Sequence, residues 1–447
     1  RPPRARQRRR RGSCVRLRFF PGLVQRAEVD PADPGRVAVC GEYQNMDGAF
    51  VCAERSDLGW ATVVEHAASE QDGYWPGDSG SSTVRQVWRE LKLASATKYE
   101  APPPVHAGWG QTVVKVSVRD DGAVAQVPYC LPHAYAKSMV ALGLSGQHVQ
   151  GALPLGDLPM QRVLVVGLGG GSLPVWLHHA FPAGRAVIDV LEINPAVIRV
   201  ATAAMGFPQA AVRPVDDAAA AAADAIAGAG GQTLRVYPVP GEAFLEALAA
   251  AAGTEGGYRY DMVFNTACDT IGRMPPVLVD PEGPFLGALR RLLAPRATVA
   301  MNLLVGISGT GSAGGPKEVE AMTYALHGAC CDCARGGRAF SVMTPVDESS
   351  GNRILVFLRS GPPEAGEAAG GDLREALRRS AEAVSADFPA DSSGARLRFA
   401  LARRVVFGWQ DWQAPAAPPP SMRELEEAAV RAGTAPTEER AGAWPWW

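Results

Sequence analysis

Residues 162–192 constrain this chain more than any others. RVLVVG, residues 162–167, is a continuous apolar run, as expected for a strand covered on both faces. GLGGGSLP continues from its final glycine, 175–181 has helical spacing, and AVIDVLE, 186–192, is a second buried strand ending on Glu192. Strand, glycine-rich turn, helix and strand make a βαβ unit. Such a crossover is right-handed and lays its strands parallel in one sheet.

The alternation continues downstream. NPAVIRVATAAMGF, 194–207, is expected to be a helix with Pro195 in its first turn, where the missing N–H costs little. Further strands are expected over 234–239, 260–265 and 297–304, and helices over 281–293 and 317–326. AFSVMTPV, 339–346, and RILVFLRS, 353–360, flank the turn residues DESSGN and form a hairpin. The expected fold class is α/β, a Rossmann-like, doubly wound parallel sheet with a terminal antiparallel hairpin. An Ala-rich insert, 208–231, is expected to be a surface helix or flexible loop, and 307–316 is a Gly/Ser loop.

Upstream, TVVKVSV, RDDG and AVAQV over 112–127 spell a β-hairpin, and 131–144 has helical spacing. The expected organisation is a basic arm and irregular region over 1–75 (with strand-like pieces at 36–40 and 49–53), then a small β-hairpin and helix element over 76–155. The α/β domain follows over 156–362, C-terminal helices over 363–412 (at 373–388 and 395–407), and a disordered Pro- and Trp-containing tail over 413–447.

Charge and cysteine content limit the partners. Nine arginines and no acid lie within residues 1–18, so the rest of a chain of net charge −2 is acidic by eleven charges. A global nucleic-acid role is therefore not expected. The arm itself is a targeting segment, a nuclear signal, a nucleic-acid tail or a solvated extension. The chain opens on Arg1 rather than Met, so upstream sequence is expected. No run of 18 apolar residues occurs, and no membrane span is expected. Eight cysteines without regular spacing point to a reducing compartment. Cys330, Cys331 and Cys333 look like half a metal site, but no second half has matching spacing, and no metal is expected.

Gly167, Gly169, Gly170 and Gly171 stand where the first strand turns into a helix, a place where a cofactor can approach the backbone. The pattern G-x-G-x-x-G is met only with Ser172 in the last place, which leaves a dinucleotide site open. Glu192 adds to it. A carboxylate at the C-terminal end of the second strand lies on the ligand-binding edge and can accept both ribose hydroxyls. The combination points to an adenosine-bearing cofactor.

The stretch VLVVGLGGGSLPVWLHHAFPAGRAVIDVLEINPAVIRVATAAMGF resembles the C-terminal domain of the methyltransferase-like enzymes that modify a lysine and the N-terminus of translation elongation factor 1-alpha. YDMVF, Pro275-Pro276, FLGALRRLLAP and VAMNLL match in order, so the resemblance covers about 200 of 447 residues. That family is similar in turn to the spermidine synthases. The resemblance implies a class I methyltransferase fold, S-adenosylmethionine as cofactor and a protein amine as substrate. It further implies a cytoplasmic location, with an organelle as the alternative if the arm is a targeting remnant, and a homodimer as one assembly open to it. Cofactor contacts are expected from Gly167, Gly169, Gly170, Gly171, Ser172, Glu192, Ile193, Gly241 and Glu242.

The sequence departs from its relatives at the adenine and catalytic sides. Pro240-Gly241 stands where they carry Asp-Gly, and Glu242 is the substitute acid. Asn265 and Ala267 stand where they carry two acids, leaving Asn265 to hold an amine by its carbonyl oxygen and Asp269 as candidate base. These losses and Ser172 argue against aminopropyl transfer. A catalytically silent scaffold keeping the fold is a further reading. A nicotinamide enzyme fits the glycines but conflicts with the terminal hairpin.

Overall fold

The apolar runs become the middle of a mixed sheet. The computed structural model describes residues 25–30, 33–41, 48–67, 84–104, 109–128, 130–153, 159–228, 233–253, 257–269, 273–305, 316–345, 351–360, 372–386, 409–412, 415 and 417–431. Five strands are parallel: β8 (Gln161–Val166), β9 (Ala186–Leu191), β10 (Thr233–Tyr237), β11 (Tyr260–Asn265) and β12 (Leu293–Val305). The hairpin strands β13 (Arg338–Pro345) and β14 (Gly351–Leu358) and the short β15 (Gln410–Asp411) complete the order β10-β9-β8-β11-β12-β14-β13-β15. β14 inserts between β12 and β13, antiparallel to both. This is the expected doubly wound sheet with a terminal antiparallel hairpin.

Both faces are covered, which is why the strands are apolar throughout. Val163 and Val165 of β8 pack towards α1 (Ala134–Val149), α2 (Ser172–Ala180) and α8 (Leu373–Ala386). Leu164 and Val166 pack to the other side, towards α4 (Ala218–Ala227), α5 (Gly241–Ala251), α6 (Pro284–Leu292) and α7 (Pro316–Cys330). Alternate residues of one strand thus feed two cores.

Two regions differ from the expectations, and a third resolves a choice left open. A five-stranded antiparallel sheet, β3 (Ala49–Ser56), β4 (Gly59–Ala67), β5 (Val84–Ala94), β6 (Trp109–Arg119) and β7 (Val124–Gln126), runs across the boundary expected near residue 75. The expected hairpin over 112–127 is only its last pair. β4 and β5 hide because their charges are buried in pairs: Arg89 reaches Glu65 at 2.9 Å, and Glu90 lies 3.3 Å from His66 and 3.7 Å from Lys92. A charged β5 lacks the alternation by which a half-buried strand is recognised. Ahead of this sheet, β1 (Gln25–Asp30) and β2 (Asp33–Gly41) form an antiparallel pair.

The Ala-rich insert holds α4, with Asp217 accepting from the Ala220 amide at 2.8 Å as its N-cap. Ala221, Ala222 and Ala225 are buried and Ala219, Ala220, Ala223 and Ile226 exposed, so of the two expected alternatives it is the surface helix, packed on the core by one face. Within the stretch expected to be disordered, α9 (Met422–Arg431) packs on α7. Its start is a capping box, with the Ser421 amide donating to Glu424 Oε2 at 2.6 Å and the Glu424 amide to Ser421 Oγ at 3.2 Å. The basic arm, the 395–407 helix, the loop residues 307–315 and the terminal WPWW lie outside the described residues. Among the described residues, no helix is long and apolar enough to cross a membrane.

The two sheets meet at α3 (Pro195–Ala203). Ala196, Val197 and Val200 share one cluster with Ala61, Val63, Val87, Leu91, Val114 and Val116. Arg89 donates to Ala204 O at the helix end, and Ser56 Oγ donates to Asn194 Oδ1 at 2.9 Å at its start.

Candidate cofactor and substrate site

The C-terminal edge of the parallel strands gathers the expected residues. β8 ends at Val166, and 167–171 turn into α2. Gly169 has φ 53° and Gly171 φ 83°, left-handed conformations that disfavour any Cβ. Crowding adds a second reason: a Cβ on Gly169 would run into Thr112 Oγ1, and one on Gly171 into the Phe207 ring. The small sheet therefore requires glycine at 169, and Phe207, just past α3, requires it at 171. Gly170 O accepts from Gln126 Nε2 at 2.5 Å, and Gly167 lies against the 266–267 backbone. Ser172 opens α2, directing the unpaired amides and positive end of that helix to the edge.

Glu192 lies just past β9 and is buried. Its Oε2 accepts from the Leu168 amide at 2.9 Å and its Oε1 from the Asn194 amide at 2.8 Å. The carboxylate thus ties the glycine loop to the start of α3, and lone pairs remain on its oxygens for hydroxyl donors. Burial pushes its pKa up, and the Asn194, Leu168 and Gly169 amides pull it back. Ile193 follows, half-buried.

Pro240 is the N-cap of α5, and Gly241 lies buried within van der Waals reach of Leu191, Phe285 and Val166. Glu242 is half-buried, and its Oε2 is a buried oxygen with no hydrogen-bond partner. Burial raises its pKa, and Glu246 adds to this.

Asn265 closes β11 at 1% exposure. Its Oδ1 accepts from the Ala267 amide at 3.1 Å, and its Nδ2 is buried without a partner. An N–H faces only an acceptor, so this contact fixes the amide: the free end is the donor, not the carbonyl expected to hold an amine. Asp269 Oδ1 accepts from the Arg273 amide at 2.7 Å, closing its own turn.

Three distant segments add residues that the motifs do not flag. Cys268 donates to Gln111 Oε1 at 2.6 Å, and Gln111 Nε2 donates to Asp269 O at 3.4 Å. Burial pushes the Cys268 thiol up to about 12, so it stays a neutral donor. His133 is pushed down to about 4 by burial. Its Nε2 accepts from the Val113 amide at 2.9 Å, leaving the ring proton on Nδ1. Tyr135 stacks on His133 at 5.3 Å, with its hydroxyl raised by burial. The alternation of β6 places Gln111 near the edge, but only the tertiary fold brings it to Cys268. Buried unpartnered polar atoms at Glu242 and Asn265, beside Glu192, fit a polar adenosine and amino-acid ligand, since such atoms are costly without one.

No family model matches the chain. It is similar to the eEF1A lysine and N-terminal methyltransferase of Homo sapiens, 30% identical over 151 residues, covering 33% of this chain and 18% of that protein. The protein of the same description from Xenopus laevis is 49% identical over 164 residues, 34% of this chain and 23% of the relative. The chain thus spans under a quarter of these two relatives. Among solved structures, a probable spermidine synthase from Corynebacterium glutamicum aligns with TM-score 0.42 at 12% identity, over 75% of this chain and 87% of that one. Human Methyltransferase-like protein 13 in complex with SAH aligns with TM-score 0.36 at 22% identity, over 64% and 97%.

Proposed function

We propose that the chain is an S-adenosylmethionine-dependent methyltransferase acting on a protein amine, a lysine or an N-terminus. The observation that carries this reading is Glu192, a buried carboxylate that accepts two backbone amides of 2.9 and 2.8 Å at the strand end where a ribose diol would lie. The similarity to relatives named as lysine and N-terminal methyltransferases supports the substrate class. Ribose would be held by Glu192, and the adenine side by Ile193, Gly241 and Glu242. The amino-acid end would be held by the 167–172 loop and Asn265 Nδ2, which can donate to a carboxylate. S-Adenosylmethionine supplies a methyl group already activated on a sulfonium, so the protein mainly aligns and desolvates the nucleophile.

We infer that the catalytic side lacks a base among the described residues, since the unpartnered Glu242 Oε2 lies on the adenine side. Asp269 Oδ1 and His133 Nε2 both accept backbone amides, and Cys268 is held as a donor. A lysine with a free pKa of about 10.4 must therefore arrive neutral, releasing its proton to solvent. The rate should climb with pH without levelling off at an enzyme pKa, about tenfold per unit below the substrate pKa. A pH profile of kcat/KM with a plateau near neutrality would instead require a base and restore Asp269 to that role.

The experiment is calorimetric titration of the full chain with S-adenosylmethionine, its decarboxylated form and NAD, followed by labelled-methyl transfer to elongation factor 1-alpha. Binding of the first and labelling of a protein are expected. Preference for the decarboxylated form overturns the reading in favour of aminopropyl transfer. Binding without transfer to any protein in cell extract leaves a silent scaffold.

A further inference from the structure

The N-terminal edge of the parallel strands, opposite the edge that carries Glu192, holds a second concave feature. β12 begins just after Arg290 and Arg291, and its Thr298 pairs with Leu358, so Arg359 leaves β14 close to where β12 enters. A cleft of about 310 Å³ opens there, lined by Arg290, His327, Cys331, Asp332, Cys333 and Arg359 among others.

Its charge is unbalanced. Among the described residues of the lining Asp332 is the only acid, and its carboxylate pairs with Arg335 at 3.3 Å. Neither the Arg290 nor the Arg359 guanidinium makes a hydrogen bond within the described residues. Burial lowers the Arg359 pKa; Cys330 and Asp332 oppose this, while Arg290 and Arg259 add to the lowering. Cys331 lines the wall as a neutral thiol, its pKa raised by burial. His327 Nε2 lies 3.9 Å from Cys333 Sγ at the rim. Two guanidinium forks on an otherwise acidic body form a local attractor for a dianion. Forked N–H donors match phosphate oxygens best, and the volume leaves room for a group attached to them.

We propose that this cleft binds a phosphate group, at a site separate from the one at Glu192. The phosphate is free in solution or carried on a side chain of a partner, and both present the same dianion to Arg290 and Arg359. The proposal does not depend on the methyltransferase reading, because its site lies on the other edge of the sheet.

Cys333 is exposed and gives a local readout. The full chain is treated with N-ethylmaleimide, and modification at Cys333 is followed by mass spectrometry, with sodium chloride added to match ionic strength. Inorganic phosphate, a phosphoserine peptide and its unphosphorylated form are the probes. A several-fold slowing by phosphate or by the phosphopeptide is expected, lost in Arg359→Gln and weakened in Arg290→Gln. The more protective of the two identifies the source. Slowing by neither overturns the site, as does slowing that survives in Arg359→Gln. Arg290 is exposed, so if the Arg359 variant does not fold, undiminished protection in Arg290→Gln overturns it alone. S-Adenosylhomocysteine should leave the protection unchanged; if it abolishes protection, the phosphate was read at the other edge and the proposal fails.

Discussion

A carboxylate as buried as Glu192 titrates with consequences. Burial raises its pKa above the usual glutamate value. The Leu168 and Asn194 amides can donate only to its oxygens, and ribose hydroxyls would do the same, so the ionised form is the binding form. Affinity for S-adenosylhomocysteine should fall as pH drops through the raised value. Glu192→Gln should weaken binding by roughly 2 kcal/mol at neutral pH, since charge-assisted bonds are lost, and flatten the acid dependence. Calorimetry at several pH values checks both. A second carboxylate has a purely structural task. Asp189 faces Arg235 in register on β10, with the guanidinium at 2.6 Å, and accepts Tyr258 and Tyr260 hydroxyls at 2.8 and 2.9 Å. All these groups are buried, so Asp189→Ala strands a charge and should cost about 3–5 kcal/mol in urea unfolding. A small loss would mean that water reaches Arg235. Glu192 was legible because it ends an apolar strand; Asp189 was not, because its partner is 46 residues away.

At the scale of elements, legibility followed burial pattern. β8, β9, β11 and the terminal hairpin were plain because apolar residues run unbroken or meet at turn residues. β4 and β5 were not, because Glu65, Arg89 and Glu90 mask the apolar positions that core packing satisfies. α9 carried its own signal in Ser421 and Glu424, obscured by the Pro-rich stretch before it. Ser421→Ala should cost this helix about 1 kcal/mol and fray its first turn, seen as faster amide exchange at 422–425 with β8 unchanged. Gln111, Tyr135 and Cys268, beside the proposed site, come from β6, α1 and the loop after β11. No local spacing relates them, and only the packing of the small sheet onto the large one does.

That packing makes the molecule one energetic unit around the cofactor edge. Thr112 and Val114 of β6 press on Gly169 and Gly170, Gln126 holds Gly170 O, and Arg89 holds the end of α3, whose start is tied to Glu192 through Asn194. A ligand that orders the glycine loop must also stabilise the sheet behind it, because binding and local opening are linked reciprocally. S-Adenosylhomocysteine should therefore slow amide exchange not only at 167–172 and 192–194 but across β5 and β6, which do not reach the ribose position. Gly169→Ala tests the same coupling from the other side. The Cβ strains a left-handed residue by about 1–2 kcal/mol and collides with Thr112. Affinity should fall, and Thr112→Ala in the same chain should restore part of it by removing the collision but not the strain. Protection confined to the loop, together with no rescue, would mean that the small sheet is a passive neighbour. Spread of protection into β5 and β6 would make it part of the binding site, although it lies outside the glycine motif.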